Sequence, residues 1–349
     1  MARRRKKQTE IPETLLPTGC TILNCILADN AFGGLRKGTI INLIGDSSAG
    51  KSILSWTIIA AMIAEGYDSS YDFYYDDAEA AGDSFDLEKL FGEKTKSIVK
   101  PPRTDGNGEP VCSDTIEDFH MHIKDVLKNN KPFIYILDSF DSLDAEADRE
   151  KLDKALKARK NGNKSSGSYG TAKSRKSSDI LRNIRMEIKN TNSVLIIVSQ
   201  IRDNLNAMAF GSKKTRSGGK ALKHYSWHEL WLYLGKKIKS KDRMVGVQTM
   251  PKIGKNRQTG KIRDGVFNIY YDLGIDDVEA NVDFLLAEGY WKKRKQTIVA
   301  EELNLEGTKA KLIQQIEENN LEKQLQHCVQ KCWTRIEESL KMDRKKRFK

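Results

Sequence analysis

The chain has 349 residues, 60 Lys and Arg against 48 Asp and Glu, and a net charge of +12. A chain of this length can bury a sizeable core, so its five cysteines, an odd number without ligand-like clustering, read as reduced thiols of a cytoplasmic protein and not as a disulfide framework. No apolar run approaches the roughly 20 residues that span a bilayer, which sets aside a membrane protein, and His120 and His122, two apart on a polar helix, face different ways and make a poor metal pair.

Residues 1–15 read as a flexible basic arm carrying Arg3, Arg4, Arg5, Lys6 and Lys7. Basic residues cluster again over 151–176 and at 344–349. Charge concentrated in clusters points to a polyanion partner, and nucleic acid is the natural one. Gly33, Gly34 and Gly38 mark a turn before residues 39–44, an apolar and β-branched run that predicts a buried strand. Gly45-Asp46-Ser47-Ser48-Ala49-Gly50-Lys51-Ser52 follows, then an apolar run over 53–64 that predicts a helix. This is G-x-x-x-x-G-K-S between strand and helix, the context in which the pattern means a phosphate loop. Its backbone N–H groups and the helix N-terminus would cradle phosphates. Lys51 would reach the β- and γ-phosphates and Ser52 would ligate Mg²⁺, so ATP and Mg²⁺ are the cofactors expected.

A second predicted strand, 71–76, runs into Asp76-Asp77-Ala78-Glu79. Glu79 is a candidate general base, because open α/β sheets gather strand C-termini around the ligand. After turn chemistry over 101–113 a helix is expected over 113–128. Residues 132–139 are a third buried strand ending in Asp138, a hard oxygen ligand that would hold Mg²⁺ opposite Ser52. Residues 150–178 hold nine Lys and Arg, two acids and a Gly/Ser-rich run. They read as a loop that follows a nucleic-acid backbone, with Lys164, Lys173, Arg175 and Lys176 on phosphates and Tyr169 stacking on a base.

A helix over 179–189 leads to a strand over 193–200 ending in Gln200. Beyond it, Arg202, Phe210, Lys213, Lys214 and Arg216 form a second basic loop near 202–219. Strands over 229–234, 245–251 and 265–271 would complete the sheet. Lys255 and Arg257 lie between the last two. From about residue 276 the pattern changes to an amphipathic helix over 282–291, a basic stretch, and helix to about 342.

Several of these segments resemble the RecA family of recombinases. The likeness is carried by the Gly33-Gly34-Leu35 turn, by Asp77-Ala78-Glu79, and by Gln200-Ile201-Arg202 with Phe210-Gly211. Gly218-Gly219-Lys220-Ala221-Leu222-Lys223 and Lys255-Asn256-Arg257 extend it. It covers about residues 16–272 well and the remainder loosely. The resemblance implies an α/β fold: a RecA-like P-loop ATPase core at 16–275, with a central, mostly parallel twisted sheet flanked by helices, and a small α-rich C-terminal domain at 276–349. It implies that Glu79 polarises the attacking water, that Gln200 senses the γ-phosphate, and that Phe210 signals between subunits. The loops near 150–178 and 202–219 would bind DNA. Lys255 and Arg257 would reach ATP held by a neighbouring subunit, with Arg257 where the family has lysine.

The activity implied is DNA-dependent ATP hydrolysis to ADP and phosphate. It would be coupled to filament assembly on single-stranded DNA, homologous pairing and strand exchange. Partners would be single- and double-stranded DNA and further copies of this chain. The basic C-terminus departs from the acidic tail common in bacterial members and suggests a phage-type recombinase. Two alternatives stay open: a ring-forming helicase motor on the same core, and a non-catalytic DNA-binding mediator.

Overall fold

The computed structural model describes residues 10–81, 86–160, 171–203, 214–216, 219–345 and 347. Leu15–Leu16 (β1) and Leu35–Arg36 (β2) pair antiparallel around helix α1 (Thr21–Ala28). The arm predicted over 1–15 is thus shorter than expected: Ile11 and Leu15 are buried. Next come β3 (Thr39–Gly45), α2 (Lys51–Ala64), β4 (Asp72–Asp77), the short helices α3 (Leu87–Phe91) and α4 (Glu93–Ile98), and a ribbon of β5 (Arg103–Thr104) and β6 (Pro110–Val111). Helix α5 (Ile116–Lys128) starts later than predicted because Thr115 and Asp118 form a reciprocal capping box. Ser113 is used elsewhere, its N–H and hydroxyl both donating to the buried carboxylate of Asp76.

The chain continues through β7 (Phe133–Asp138), α6 (Glu146–Lys160), α7 (Thr171–Asn190), β8 (Val194–Asp203), β9 (Lys214–Arg216) and α8 (Gly219–Tyr225). Two long strands, β10 (His228–Ser240) and β11 (Arg243–Asn256), form a hairpin, followed by β12 (Phe267–Tyr270) and β13 (Gly274–Asp276). Helix α9 (Asp277–Ala287), strands β14 (Lys292–Arg294), β15 (Thr297–Ala300) and β16 (Leu305–Gly307), and helices α10 (Lys309–Glu318) and α11 (Glu322–Ser339) complete it.

The main sheet has the order β13-β12-β11-β10-β3-β8-β7-β4, with β9 paired to β8. From β10 to β4 neighbours are parallel; from β10 to β13 they are antiparallel. The result is a mixed α/β sheet. The central strands β3 and β7 read as continuous apolar runs because both faces are covered. Ile41, Leu43, Ile136 and Val198 face one cluster with α2, whereas Ile40, Tyr135, Leu137 and Ile197 face another with α5 and α7. The first cluster runs on unbroken into the C-terminal region through Leu285, Ile298, Leu312 and Trp333.

Two expectations are corrected. Residues 150–178 are not one long loop: α6 and α7 occupy most of them, and residues 161–170 lie outside the described part. The helical face of α6 carries the pairs Asp148–Lys151 and Glu150–Lys154, spacings that support helix. The C-terminal region is α-rich as expected, with α9, α10 and α11, but the basic stretch between its helices is sheet: β14, β15 and β16 form a three-stranded antiparallel sheet. The helix expected over 282–291 begins earlier, where Asp276 caps the N–H of Glu279, and ends at Ala287. All five cysteines are free.

Candidate active site

Four parallel strand ends converge on one cavity of about 700 Å³. Strand β3 ends at Gly45 and the chain turns through 46–50 into α2. Gly50 caps the helix at φ +88°, a left-handed conformation that suits glycine. A Cβ there would stand 2.2 Å from Ile269 Cδ1, so any larger residue would also have to push that side-chain tip aside. At Gly45 a Cβ would meet the Leu232 carbonyl oxygen at 3.0 Å. The loop is therefore drawn tight against β10, which leaves its outer side to the cavity.

Lys51 Nζ donates to the carbonyl oxygens of Gly45 at 3.1 Å and Asp46 at 2.9 Å. Burial lowers the pKa of its ammonium, and the acids Asp138, Glu79, Asp141 and Asp46 oppose that shift. Next to it, Ser52 Oγ donates to Asp138 Oδ2 at 2.7 Å. The same oxygen accepts from Tyr75 OH at 2.6 Å. Burial raises the Asp138 carboxyl, while the Tyr75 and Ser52 hydroxyls hold it down. A hydroxyl and a carboxylate in contact at the mouth of the loop are the hard oxygen set that suits Mg²⁺, so the residues fit the ion the motif implies.

Strand β4 delivers Glu79 two residues past its end, and Glu79 N–H donates to the Asp138 carbonyl at 3.2 Å. Glu79 Oε1 accepts from Ser139 Oγ at 2.5 Å and from Gln200 Nε2 at 2.9 Å. The backbone N–H of Gln200 donates in turn to Asp141 Oδ2 at 2.7 Å. Lys51 of the loop and Glu79, Asp138 and Gln200, the residues expected at strand ends, thus line one cavity. Sequence reasoning missed Tyr75, Ser139 and Asp141, which position them, and also Lys89, Leu90 and Tyr271 in the cavity wall.

Of the other expected residues outside the 45–52 loop, those that are described do not line this cavity. Lys255 Nζ bonds the carbonyls of Lys223 and His224, and Arg257 Nη2 bonds that of His224 at 2.8 Å. Both cations cap the C-terminal turn of α8, where helix carbonyls favour positive charge. Arg202, Lys214 and Arg216 belong to the antiparallel β8–β9 pair. Arg175 and Lys176 are exposed on α7, Lys176 lying 3.6 Å from Glu117. Lys173 differs from expectation: its ammonium points inward onto backbone carbonyls. Lys164, Tyr169, Phe210 and Lys213 lie outside the described residues.

Comparison with known proteins identifies the family. A family model described as the RecA N-terminal domain matches residues 3–276. The chain is 28% identical over 284 residues to the protein RecA of Methylococcus capsulatus, an overlap of 79% of this chain and 73% of that one. Against the protein RecA of Allochromatium vinosum it is 30% identical over 263 residues, 75% of this chain and 67% of the other.

Proposed function

Because this chain belongs to the RecA family, as an ATP-dependent recombinase of homologous pairing and strand exchange, we propose that it hydrolyses ATP in the cavity at the mouth of residues 45–52. The observation that carries the reading is the Glu79 carboxylate, held by Ser139 and Gln200 beside Lys51 and the Ser52–Asp138 pair. Backbone N–H groups of the loop bind the phosphates, and Lys51 turns its ammonium from the loop carbonyls to the β- and γ-oxygens. Ser52 and Asp138 would hold Mg²⁺, which when bound neutralises charge on the phosphate oxygens. Glu79 orients the attacking water and takes its proton. An amide at Gln200 can hydrogen-bond phosphate or carboxylate without adding charge, so Gln200 links the hydrolytic carboxylate to the strand that leads into residues 204–213.

DNA is bound by the basic segments near 150–178 and 202–219, with Lys173 excepted because it faces backbone carbonyls, and Lys255 and Arg257 serve the ATP site of an adjoining subunit in a filament. No helix among the described residues is long and apolar enough to cross a membrane. Electron microscopy with ATP and single-stranded DNA tests the assembly: helical filaments are expected, and closed rings would favour a helicase motor instead. A strand-exchange assay on the same sample distinguishes a recombinase from a mediator that binds DNA without exchanging it.

A further inference from the structure

Lys173 is the third residue of α7, directly beyond residues 161–170. Its Nζ donates to the carbonyl oxygens of Phe140 at 2.7 Å, Asp141 at 3.3 Å and Leu143 at 2.5 Å. The same ammonium lies 4.6 Å from the centroid of the Phe140 ring. A lysine ammonium has three protons to donate, and here all three have carbonyl acceptors. The side chain is half-buried. It serves as a peg that fastens the first turn of α7 onto the turn after β7.

That turn supplies two of the bonds around the hydrolytic carboxylate. Ser139, one residue before Phe140, donates its hydroxyl to Glu79 at 2.5 Å. Asp141, whose carbonyl Lys173 engages, accepts the backbone N–H of Gln200 at 2.7 Å. Phe140 itself is tied to β8 through its N–H and the Val198 carbonyl, 2.9 Å apart. Displacement of the first turn of α7 therefore acts on the 139–141 backbone. It reaches Glu79 through Ser139 and Gln200 through Asp141.

We propose that Lys173 is a positioning residue for ATP hydrolysis, coupling the start of α7 to Glu79 and Gln200, and that it is not a DNA-phosphate contact. This rests on the reading of the chain as a DNA-dependent ATPase. The coupling element is a packed turn joined by hydrogen bonds on both sides, a physical link between two sites.

The test uses the full chain, ATP and an oligo(dT) single strand. Lys173→Met keeps the aliphatic stem and removes the ammonium. The DNA-stimulated kcat is expected to fall about tenfold or more, since small misplacements of catalytic groups cost that much, with KM for ATP within about twofold of wild type. The slope of log affinity for oligo(dT) against log salt should stay unchanged. Lys173→Arg, which can still donate to the same carbonyls, should recover most of the stimulated rate; if Lys173→Met melts at a lower temperature, all rates are read well below its melting transition. A slope reduced by about 0.7, the loss of one single-strand phosphate contact, overturns the proposal. Full stimulation in Lys173→Met also overturns it. A wild-type chain whose hydrolysis DNA does not accelerate would defeat the ATPase reading itself, a failure visible before any variant is compared.

Discussion

Tyr75→Phe removes one atom from the side of the cavity where Ser52 and Asp138 are proposed to hold Mg²⁺ and leaves the packing in place. The Tyr75 ring is buried and stacks on Trp56 with centroids 4.7 Å apart, a contact phenylalanine retains. Its hydroxyl donates to Asp138 Oδ2 at 2.6 Å, the oxygen that also accepts from Ser52. Asp138 is only 5% exposed, so water is poorly placed to replace the lost donor. A hydrogen bond to a charged group contributes about 1.5–3 kcal/mol, and urea unfolding at neutral pH should show a loss of that size. Removing a bond that orients a metal ligand lowers metal affinity roughly 10- to 100-fold. A Mg²⁺ titration of fluorescent ATP-analogue binding should therefore shift its midpoint to higher Mg²⁺ by about tenfold or more, while analogue binding without Mg²⁺ stays as in wild type. An unchanged midpoint together with wild-type stability would refute the assignment of Tyr75 as the group that orients Asp138.

Three further predictions concern other parts of the fold. Gly50→Ala places a Cβ against Ile269 Cδ1 and forces a left-handed conformation on alanine. It should cost at least about 1–2 kcal/mol and weaken nucleotide binding in calorimetry, and trimming Ile269 to alanine should restore only the part due to the clash. His228 is fully buried with neither ring nitrogen hydrogen-bonded among the described residues, and burial pushes its pKa down to about 3. As pH falls below the ordinary histidine value of about 6.5, the unfolded chain takes up a proton that the folded chain refuses, so stability falls. This one group contributes a slope of about 1.4 kcal/mol per pH unit down to about pH 3, and His228→Asn should flatten the measured slope by that amount. Glu337 on α11 accepts from Lys261 at 2.6 Å and from Arg263 at 2.9 Å, tying the C-terminal region to the segment between β11 and β12. Glu337→Ala should cost roughly 1–3 kcal/mol in urea unfolding, and Glu337→Gln somewhat less.

The strand–loop–helix of residues 39–64 was legible because its signals are local: an apolar run, glycines at fixed spacing, then a second apolar run. The same holds for β7, which ends at Asp138, and for the part of β8 that runs up to Gln200, whose buried character shows in consecutive residues. Tyr75 was not legible. It reads as one more core aromatic of β4, and its hydroxyl partner is 63 residues away. Ser139 and Asp141 were missed for a similar reason, since a short polar turn after a strand does not announce where its side chains bond. Lys173 shows the limit of charge counting: composition reveals a cation but not its direction, and this one faces three carbonyls. The excess length assigned to the basic loop had another cause. Its glycines are confined to 161–170, while the flanking cations are spaced as helix-surface residues. Strands β14, β15 and β16, of three or four residues each, are too short to establish a period of two.

Glu79→Gln tests the central claim most directly, because it keeps the shape of the side chain and removes its capacity to accept a proton. Multiple-turnover ATP hydrolysis in the presence of single-stranded DNA should fall by about 10²-fold or more, the range typical of losing a general base, while Mg²⁺-dependent nucleotide affinity stays near wild type. Hydrolysis at an undiminished rate would contradict the account, since the carboxylate held by Ser139 and Gln200 would then have no part in activating water.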